Sequence, residues 1–332
     1  MERVVANLNR ALYAVMESDD SVFLIGEDLR DPYGGAFKVS RGLSTAFPDR
    51  VISTPISENG LLGVANGLAL SGEKAIAEIM FGDFTLLAMD QIVNFAAKSV
   101  TMYGERMNFP LLVRCPMGGH RGYGATHSQT LSKHFLGVPN LTLFELSPVH
   151  DLERMLRQIL ETGTPAIHFE DKTLYTHRTW DGDQVGSLYR KRYLDEERRL
   201  VLLETGEKPE VLLVTGGGML PACLEAGRRL LEEADCAVDI LVPYQIYPFD
   251  ADAIAPLLEG RPLIATVEEG TAGGTWGGEV AKVMHDRYWE LLPRPVKTIH
   301  SKDSIIPSAR HLEEDVLVSV DQIVREVVEE LD

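Results

Sequence analysis

The fold is decided by the stretch Val51-Ile-Ser-Thr-Pro-Ile-Ser-Glu-Asn-Gly-Leu-Leu-Gly-Val-Ala-Asn-Gly-Leu-Ala-Leu70. Residues 51–57 favour β structure, and residues 61–70 are apolar with interspersed glycines, so the stretch predicts a buried strand that leads directly into a buried helix. Glu58 lies at the junction. Ligands of open α/β sheets bind outside the carboxyl ends of the strands, which makes Glu58 a candidate ligand-binding residue. A solvated structural glutamate is the alternative, because the helix dipole alone favours an acidic residue at this position.

Strands alternate with helices on both sides of this stretch. Strands are predicted at residues 22–26, 75–79, 111–115, 141–146 and 166–169, and helices at 4–16, 39–47, 86–100 and 150–161. This alternation predicts a mainly parallel sheet covered by helices on both faces. The same pattern restarts at Val211 and continues towards the C-terminus. The chain is therefore predicted to have an α/β fold with two three-layer α/β/α domains and mainly parallel sheets.

The predicted domain boundaries lie where this alternation stops. Residues 186–208 contain clustered charges, as in Arg190-Lys-Arg-Tyr-Leu-Asp-Glu-Glu-Arg-Arg199, and no apolar period of helical or strand length. Such a segment is typical of a connection between domains, and it has room for one small hairpin. The sequence therefore predicts a first domain at residues 1–185, a linker at 186–208 and a second domain at 209–332.

The overall charge limits the classes of partner. The 332 residues carry a formal net charge of −18, which argues against binding to nucleic acid or to an anionic membrane. The three cysteines are far apart and form no CxxC pair, so neither a disulfide framework nor a thiolate metal site is indicated. The N-terminus lacks an apolar signal core, and polar residues interrupt every apolar run before it reaches membrane-spanning length. These features predict a cytoplasmic protein.

Candidate catalytic residues follow three predicted strands of the first domain. Glu58, Phe84 and His127 each come after a strand, so they should lie at one edge of the sheet. A carboxylate, an aromatic ring and a histidine together suit proton transfer beside a flat heteroaromatic ligand. Each also has a structural alternative, since Phe84 can belong to the core and His127 can cap a helix.

Motifs of several common enzyme classes are absent from the sequence. It contains no HExxH, no P-loop, no GxGxxG after the first strand and no GxSxG elbow. Common metal-binding and phosphate-binding motifs are thus missing, and a serine hydrolase is disfavoured.

Motifs spread over nearly the whole chain carry a family resemblance. In order, they are YGGAFKVSRGL (33–43), FPDRVISTPISENGLLGVANGLAL (47–70), IAEIMFGDFTLLAMDQIVNFAAK (76–98), THSQ (126–129), VEEGTAGGTWGGEV (267–280) and IPSARHLEE (306–314). With these motifs the chain resembles the beta subunit of the thiamine-diphosphate-dependent decarboxylating component of 2-oxo acid dehydrogenases, of the pyruvate, branched-chain 2-oxo acid and acetoin types. The resemblance implies a pyrimidine-binding domain followed by a transketolase C-terminal-like domain.

The resemblance also implies roles for individual residues. Glu58 corresponds to the glutamate that hydrogen-bonds the aminopyrimidine ring of thiamine diphosphate and favours the imino tautomer, which takes the proton from the thiazolium carbon. Phe84 corresponds to the aromatic residue that stacks on the pyrimidine, and Ile56 to an apolar residue beside that ring. His127 corresponds to the active-site histidine, which helps to hold and protonate intermediates. Weaker nominations from the same resemblance are Asp28, Gln91 and Arg121.

The resemblance further implies a partner subunit. Enzymes of this type hold the diphosphate through magnesium, usually with a GDG…N motif, but the Gly-Asp pairs here read Gly82-Asp83-Phe84 and Gly182-Asp183-Gln184. No metal ligands are therefore expected in this chain, and magnesium would be held by an alpha subunit in an α2β2 heterotetramer. A lipoyl-bearing acyltransferase is a further expected partner.

Three functional hypotheses follow. In the first, the chain is the beta subunit that, with an alpha subunit, decarboxylates a 2-oxo acid and transfers the acyl group to lipoamide. In the second, it belongs to a half-size transketolase-like carboligase that joins the activated aldehyde to a carbonyl acceptor; residues 118–137 motivate this alternative, because they differ from the expected pyruvate and branched-chain patterns. In the third, it is a non-catalytic α/β binding or assembly subunit. The first is preferred, because the third requires three matching site positions to be coincidental.

Overall fold

The stretch around Glu58 folds as its pattern predicts in the computed structural model, which describes residues 1–206 and 208–332. A strand at Val51–Thr54 is followed by a helix at Glu58–Leu70. The helix buries Leu61, Leu62 and Ala65. Their helical spacing places them on one face, which explains why this apolar segment forms a helix against a sheet rather than a further strand.

The chain divides into two compact units, of which the first comprises Met1–Met117, Phe135–Phe144 and Asp151–Thr179. Its α-helices are α1 (Val4–Ser18), α2 (Leu43–Ala46), α3 (Glu58–Leu70) and α4 (Leu152–Glu161). Its strands are β1 (Val22–Glu27), β2 (Val51–Thr54), β3 (Lys74–Glu78), β4 (Leu111–Met117), β5 (Thr142–Glu145) and β6 (Ala166–Asp171).

The strands of the first unit form one sheet in the order β5-β6-β4-β3-β1-β2. The pairs β1–β2, β1–β3, β3–β4 and β4–β6 are parallel. Every residue of β4 is buried, as expected for a strand covered on both faces. This parallel sheet brings the carboxyl ends of its strands to one edge.

The helix predicted at residues 86–100 is irregular in the structure. A 3₁₀ helix at Gly82–Ala88 is followed by a π-helix at Asp90–Ala97. The Asn66 side chain of α3 donates a hydrogen bond of 3.1 Å to the Gln91 carbonyl inside this segment. A side-chain donor at a helix carbonyl is a known cause of such irregularity, and sequence periodicity does not reveal it.

The second unit comprises Gly118–His134, Glu145–His150 and Trp180–Asp332. Its strands are β7 (Gln184–Val185), β8 (Tyr189–Tyr193), β9 (Leu200–Glu204), β10 (Val211–Thr215), β11 (Val238–Pro243), β12 (Gln245–Tyr247), β13 (Leu263–Thr271) and β14 (Lys297–Ser301). Its α-helices are α5 (Leu220–Ala234), α6 (Trp276–Tyr288), α7 (Arg310–Val316) and α8 (Val320–Leu331). The sheet of this unit has the order β14-β13-β10-β11-β9-β8-β7, with parallel pairing from β14 to β11. Both units therefore have the predicted α/β class.

The segment 186–208, for which a linker is predicted, contains two strands of the second sheet. Strands β8 and β9 lie within it and pair with each other in antiparallel fashion, and β9 pairs with β11. Residues Tyr189–Tyr193 have the sequence YRKRY, in which Arg190 and Arg192 are exposed while Tyr189 and Lys191 are buried. The buried lysine hides the two-residue period of the strand, which is why the sequence pattern reads as a charge cluster. Strands β8 and β9 thus form a hairpin within the segment, and the domain boundaries at residues 185 and 209 stay predictions.

The start of α3 is held by a buried carboxylate on the neighbouring strand. Glu27 ends β1, is 1% exposed and pairs with Thr54 in the parallel register of β1 and β2. Its Oε1 accepts a hydrogen bond of 3.1 Å from the Ser57 amide, one residue before α3. Burial raises the pKa of Glu27; the Ser57 amide opposes this shift, and the nearby Glu58 and Asp28 add to it.

A buried cluster of charges joins three adjacent strands of the same sheet. Arg114 of β4 is 1% exposed and forms a paired contact with Glu170 of β6, with Nε–Oε1 and Nη2–Oε2 distances of 2.7 and 2.8 Å. Its Nη1 lies 3.0 Å from Oε2 of Glu78 on β3. The guanidinium thus offsets two carboxylates that would otherwise be costly to bury.

Neighbouring polar groups complete this cluster. The Tyr175 hydroxyl donates to Glu170 over 2.6 Å, the His168 Nδ1 lies 2.9 Å from the same carboxylate, and the Ser40 hydroxyl donates to Glu78. Burial alone would raise the pKa of Glu170, but Arg114 and His168 hold it at about 2. Burial raises the pKa of Glu78, although Arg114 and Ser40 oppose the shift.

No helix among the described residues has the length and apolar character needed to cross a lipid bilayer.

We expect Arg114→Met to lower the free energy of unfolding by about 3–5 kcal/mol, because it leaves Glu78 and Glu170 as uncompensated buried charges. Arg192→Met is a matched control. Arg192 forms the same paired contact with Glu204, at 2.9 and 3.1 Å, but the two side chains are 50% and 36% exposed. This control should lose less than about 1 kcal/mol. Urea unfolding of the purified chains measures both values, and similar losses in the two variants would contradict the argument.

We expect Glu27→Gln to gain stability relative to the unmodified chain as the pH rises from about 5 to about 8. The pKa of Glu27 is raised above its ordinary value of 4.5, so ionised Glu27 destabilises the fold increasingly above that pH. Glutamine keeps an acceptor for the Ser57 amide and cannot ionise. Glu27→Ala removes the acceptor and should lose about 1–3 kcal/mol at either pH. Urea unfolding at the two pH values is the test, and a relative loss of stability by Glu27→Gln on raising the pH would refute it.

Candidate active site

Glu58 is the first residue of α3 and is 6% exposed. The positive end of the helix dipole stabilises its negative charge. Among the described residues, its carboxylate has no hydrogen-bond or ion-pair partner. The carboxylate is therefore available to form a hydrogen bond with a bound molecule.

Glu58 lies close enough to the Glu27 carboxylate to help raise the pKa of Glu27, after burial as the main cause. The Oε2 of Glu27 is buried without a hydrogen-bond partner in the described part of the chain, while Oε1 is used by Ser57. The sequence-based nomination fell instead on Asp28, which is exposed and has a φ of 53°. No local sequence pattern reveals Glu27, because only the parallel pairing of β1 with β2 brings it to the start of α3.

Phe84 and Ile56 lie on elements next to Glu58. The 3₁₀ helix that carries Phe84 packs against α3. The half-buried Phe84 ring contacts the Phe81 ring with a centroid distance of 5.9 Å at 73°, and Phe81 in turn contacts Phe37 at 5.5 Å. Ile56 lies in the turn between β2 and α3 and is 73% exposed. A supported aromatic ring and an uncovered apolar side chain can both contact the face or edge of a flat ligand.

His127 lies in the second unit, in the connection that follows β4. Its Nδ1 is 2.7 Å from the Thr126 hydroxyl, and its backbone amide donates to the Gly124 carbonyl over 3.3 Å. The side chain is half-buried. The hydroxyl contact at one ring nitrogen orients the imidazole, as a histidine that exchanges protons requires.

Gln91 and Arg121, which the family resemblance also suggests, have contacts of their own. The Gln91 side chain accepts a hydrogen bond of 3.1 Å from Asn66, so it joins the π-helix to α3. Arg121 is exposed and lines a cavity of about 520 Å³ together with His120 and Arg310. Within the described residues, no group of three or more His, Cys, Asp or Glu side chains is arranged to hold a metal ion.

Known protein families match both halves of the chain. The transketolase pyrimidine binding domain matches residues 4–178, and the transketolase C-terminal domain matches residues 202–323. Among solved structures, a split gene transketolase described as an inactive beta4 tetramer superimposes with a TM-score of 0.75 at 20% identity, over 99% of this chain and 97% of that one. At this identity, the similarity supports the fold alone.

Curated relatives extend over almost the whole chain. The beta subunit of the mitochondrial pyruvate dehydrogenase E1 component of Dictyostelium discoideum is 30% identical, over 96% of this chain and 87% of its own length. The acetoin:2,6-dichlorophenolindophenol oxidoreductase subunit beta of Bacillus subtilis is 30% identical, over 99% of this chain and 98% of its own length. The Saccharomyces cerevisiae pyruvate dehydrogenase E1 beta subunit is 31% identical, over 98% and 87%. The chain therefore belongs to the family of beta subunits of thiamine-diphosphate-dependent 2-oxo acid dehydrogenases, which confirms the resemblance seen in its motifs.

Proposed function

We propose that this chain, together with an alpha subunit, decarboxylates a 2-oxo acid and transfers the acyl group to lipoamide. The observation that carries the proposal is the Glu58 carboxylate, which lies at the carboxyl edge of a parallel sheet, is nearly buried and has no partner among the described residues. Family membership supplies the cofactor class to which such an acceptor would bind.

The residues around Glu58 fit the pyrimidine half of thiamine diphosphate. An aminopyrimidine presents ring nitrogens and a flat face; Glu58 would share a proton with a ring nitrogen, and Phe84 would lie against the face. Ile56 would contact the ring edge. Bound thiamine diphosphate supplies the nucleophilic carbon and the electron sink for decarboxylation. His127 holds the reacting oxygen and exchanges a proton with it, a task that suits an oriented imidazole.

The alpha subunit holds the diphosphate and its magnesium ion in this proposal. The division rests on the sequence, which contains no GDG motif. The subunits would form an α2β2 heterotetramer, and a lipoyl-bearing acyltransferase would receive the acyl group.

An uncovered apolar surface in the first unit supports the contact with an alpha subunit. It consists of residues on α3, the turn before it and the neighbouring 3₁₀ helix, namely Ile56, Val64, Leu86 and Leu87. They are 73%, 52%, 42% and 61% exposed, respectively. Because exposed apolar side chains grouped on adjacent elements mark interaction sites, this surface fits the partner that the family requires.

In the assembled complex of alpha and beta subunits, we expect Glu58→Gln to lower turnover by at least about 100-fold. The amide keeps the shape of the side chain but does not share a proton with the pyrimidine nitrogen. Turnover is measured as CO₂ release from pyruvate and from branched-chain 2-oxo acids, with saturating thiamine diphosphate and magnesium. Glu17→Gln, at an exposed position near the end of α1, is the matched control and should keep full activity. Full activity in Glu58→Gln would favour a non-catalytic assembly subunit.

A separate experiment with the same complex tests whether lipoamide accepts the acyl group. When lipoamide and an aldehyde are both supplied with the 2-oxo acid, we expect S-acyl-dihydrolipoamide to accumulate in step with CO₂, as mass spectrometry can show. His127→Gln should reduce this acyl transfer by about 100-fold, because it removes the proton-exchanging group. A ketol product without acylated lipoamide would contradict the lipoamide assignment and support the carboligase alternative.

A further inference from the structure

The segment Gly118–Thr130, here called the histidine loop, carries His127 and has a backbone hydrogen bond between its two ends. The Gly118 amide donates to the Gln129 carbonyl over 3.2 Å. Three of its residues, His120, Arg121 and Gly122, line the cavity of about 520 Å³, so packing around this part of the loop is incomplete. Its conformation therefore depends on specific hydrogen bonds.

Glu269 provides the first of these contacts from the end of β13. The side chain is 7% exposed, and its Oε1 accepts hydrogen bonds from the Gly119 amide at 2.7 Å and from the Thr130 hydroxyl at 3.3 Å. One carboxylate oxygen thus holds both ends of the histidine loop. Hydrogen bonds to a charged acceptor are about twice as strong as those between neutral groups.

Glu313 provides a second contact from α7, nearer the middle of the loop. It is 2% exposed, and its Oε2 accepts a hydrogen bond from the Gly122 amide at 3.3 Å. The adjacent Glu314 behaves differently, because its side chain is 53% exposed and pairs with Arg310 on the surface. The two neighbouring glutamates of α7 therefore allow a matched comparison.

The glycines of the loop permit this close approach. A Cβ atom on Gly119 would lie 2.4 Å from Leu317 Cδ1, which is too close for any other residue without movement of the leucine. Gly122 has a φ of +68°, in the left-handed region that favours glycine. The backbone of the loop can thus lie against the buried carboxylates.

We infer that Glu269 and Glu313 are positioning residues that fix the backbone of the histidine loop and, through it, the His127 imidazole. His127 lies in sequence between Gly122 and Thr130, two of the points held by these carboxylates. The inference rests on the proposed role of His127 in acyl transfer. Neither glutamate needs to touch substrate or cofactor, since each acts through the loop.

The test uses Glu313→Ala, Glu313→Gln and Glu314→Ala in the assembled complex, with Glu269→Ala and Glu269→Gln as a second pair. Glutamine keeps an oxygen acceptor, whereas alanine removes it. Glu269→Ala and Glu313→Ala should each lower kcat for acyl transfer by about 10- to 100-fold with little change in KM, because the His127 imidazole is displaced. The glutamine variants should recover most of this loss, and Glu314→Ala should match the unmodified complex.

Hydrogen exchange of peptides covering residues 118–130 gives a readout that does not depend on turnover. Glu269→Ala and Glu313→Ala should exchange faster there, while peptides from β1 keep their rates. A lower unfolding midpoint with unchanged exchange in the histidine loop would show a merely structural role and overturn the inference. A different result is possible, in which His127→Gln keeps full activity while Glu269→Ala and Glu313→Ala still speed exchange in the histidine loop. In that case the proposed role of His127 fails, but the positioning of the loop by the two glutamates stands.

Discussion

The hydrogen bond from the Ser57 amide to buried Glu27 fixes the point at which α3 begins. It forms because β1 and β2 are parallel neighbours in the sheet. Their register places Glu27, the last residue of β1, beside the turn that follows β2 and contains Ser57. Glu58 follows this point directly and receives both its burial and the positive end of the helix dipole. The side chain proposed to bind the pyrimidine therefore depends on a pairing between strands rather than on its own contacts.

Buried carboxylates in the first unit have two contrasting environments. Arg114 offsets Glu78 and Glu170 with short, paired contacts, which ties β3, β4 and β6 together. The Oε2 of Glu27 is buried without a hydrogen-bond partner within the described residues. Glu58, which is 6% exposed, forms no ion pair with a described side chain. Compensated charges of this kind suit a scaffold, whereas an uncompensated carboxylate at the edge of the same sheet suits a ligand-binding position. The difference distinguishes the glutamates of the scaffold from the glutamate that is proposed to bind a ligand.

Much of the fold could be predicted from the sequence, because apolar periodicity and glycines mark the strand and helix around Glu58. The order of the strands in the first unit followed from the same signals. The π-helix at Asp90–Ala97 could not be predicted, since it depends on a side chain of α3 that is distant in sequence. Strand β8 was hidden because Lys191 occupies a buried position.

The candidate site stays a prediction. Glu58, Ile56 and Phe84 lie on neighbouring elements of the first unit, and their roles are proposals. Glu27 was missed because its importance comes from strand pairing, which a local pattern does not show. Glu269 and Glu313 were missed for the same reason: each contacts the histidine loop from a residue far along the chain.

The apolar surface formed by Ile56, Val64, Leu86 and Leu87 affects the behaviour of the chain before it binds a partner. While the chain is unassembled, this surface is open to water and favours self-association and recognition by chaperones and proteases. Binding of a partner that covers it stabilises the folded chain by mass action. Under the proposed function, the stability of the folded chain would therefore depend on the concentration of its partner.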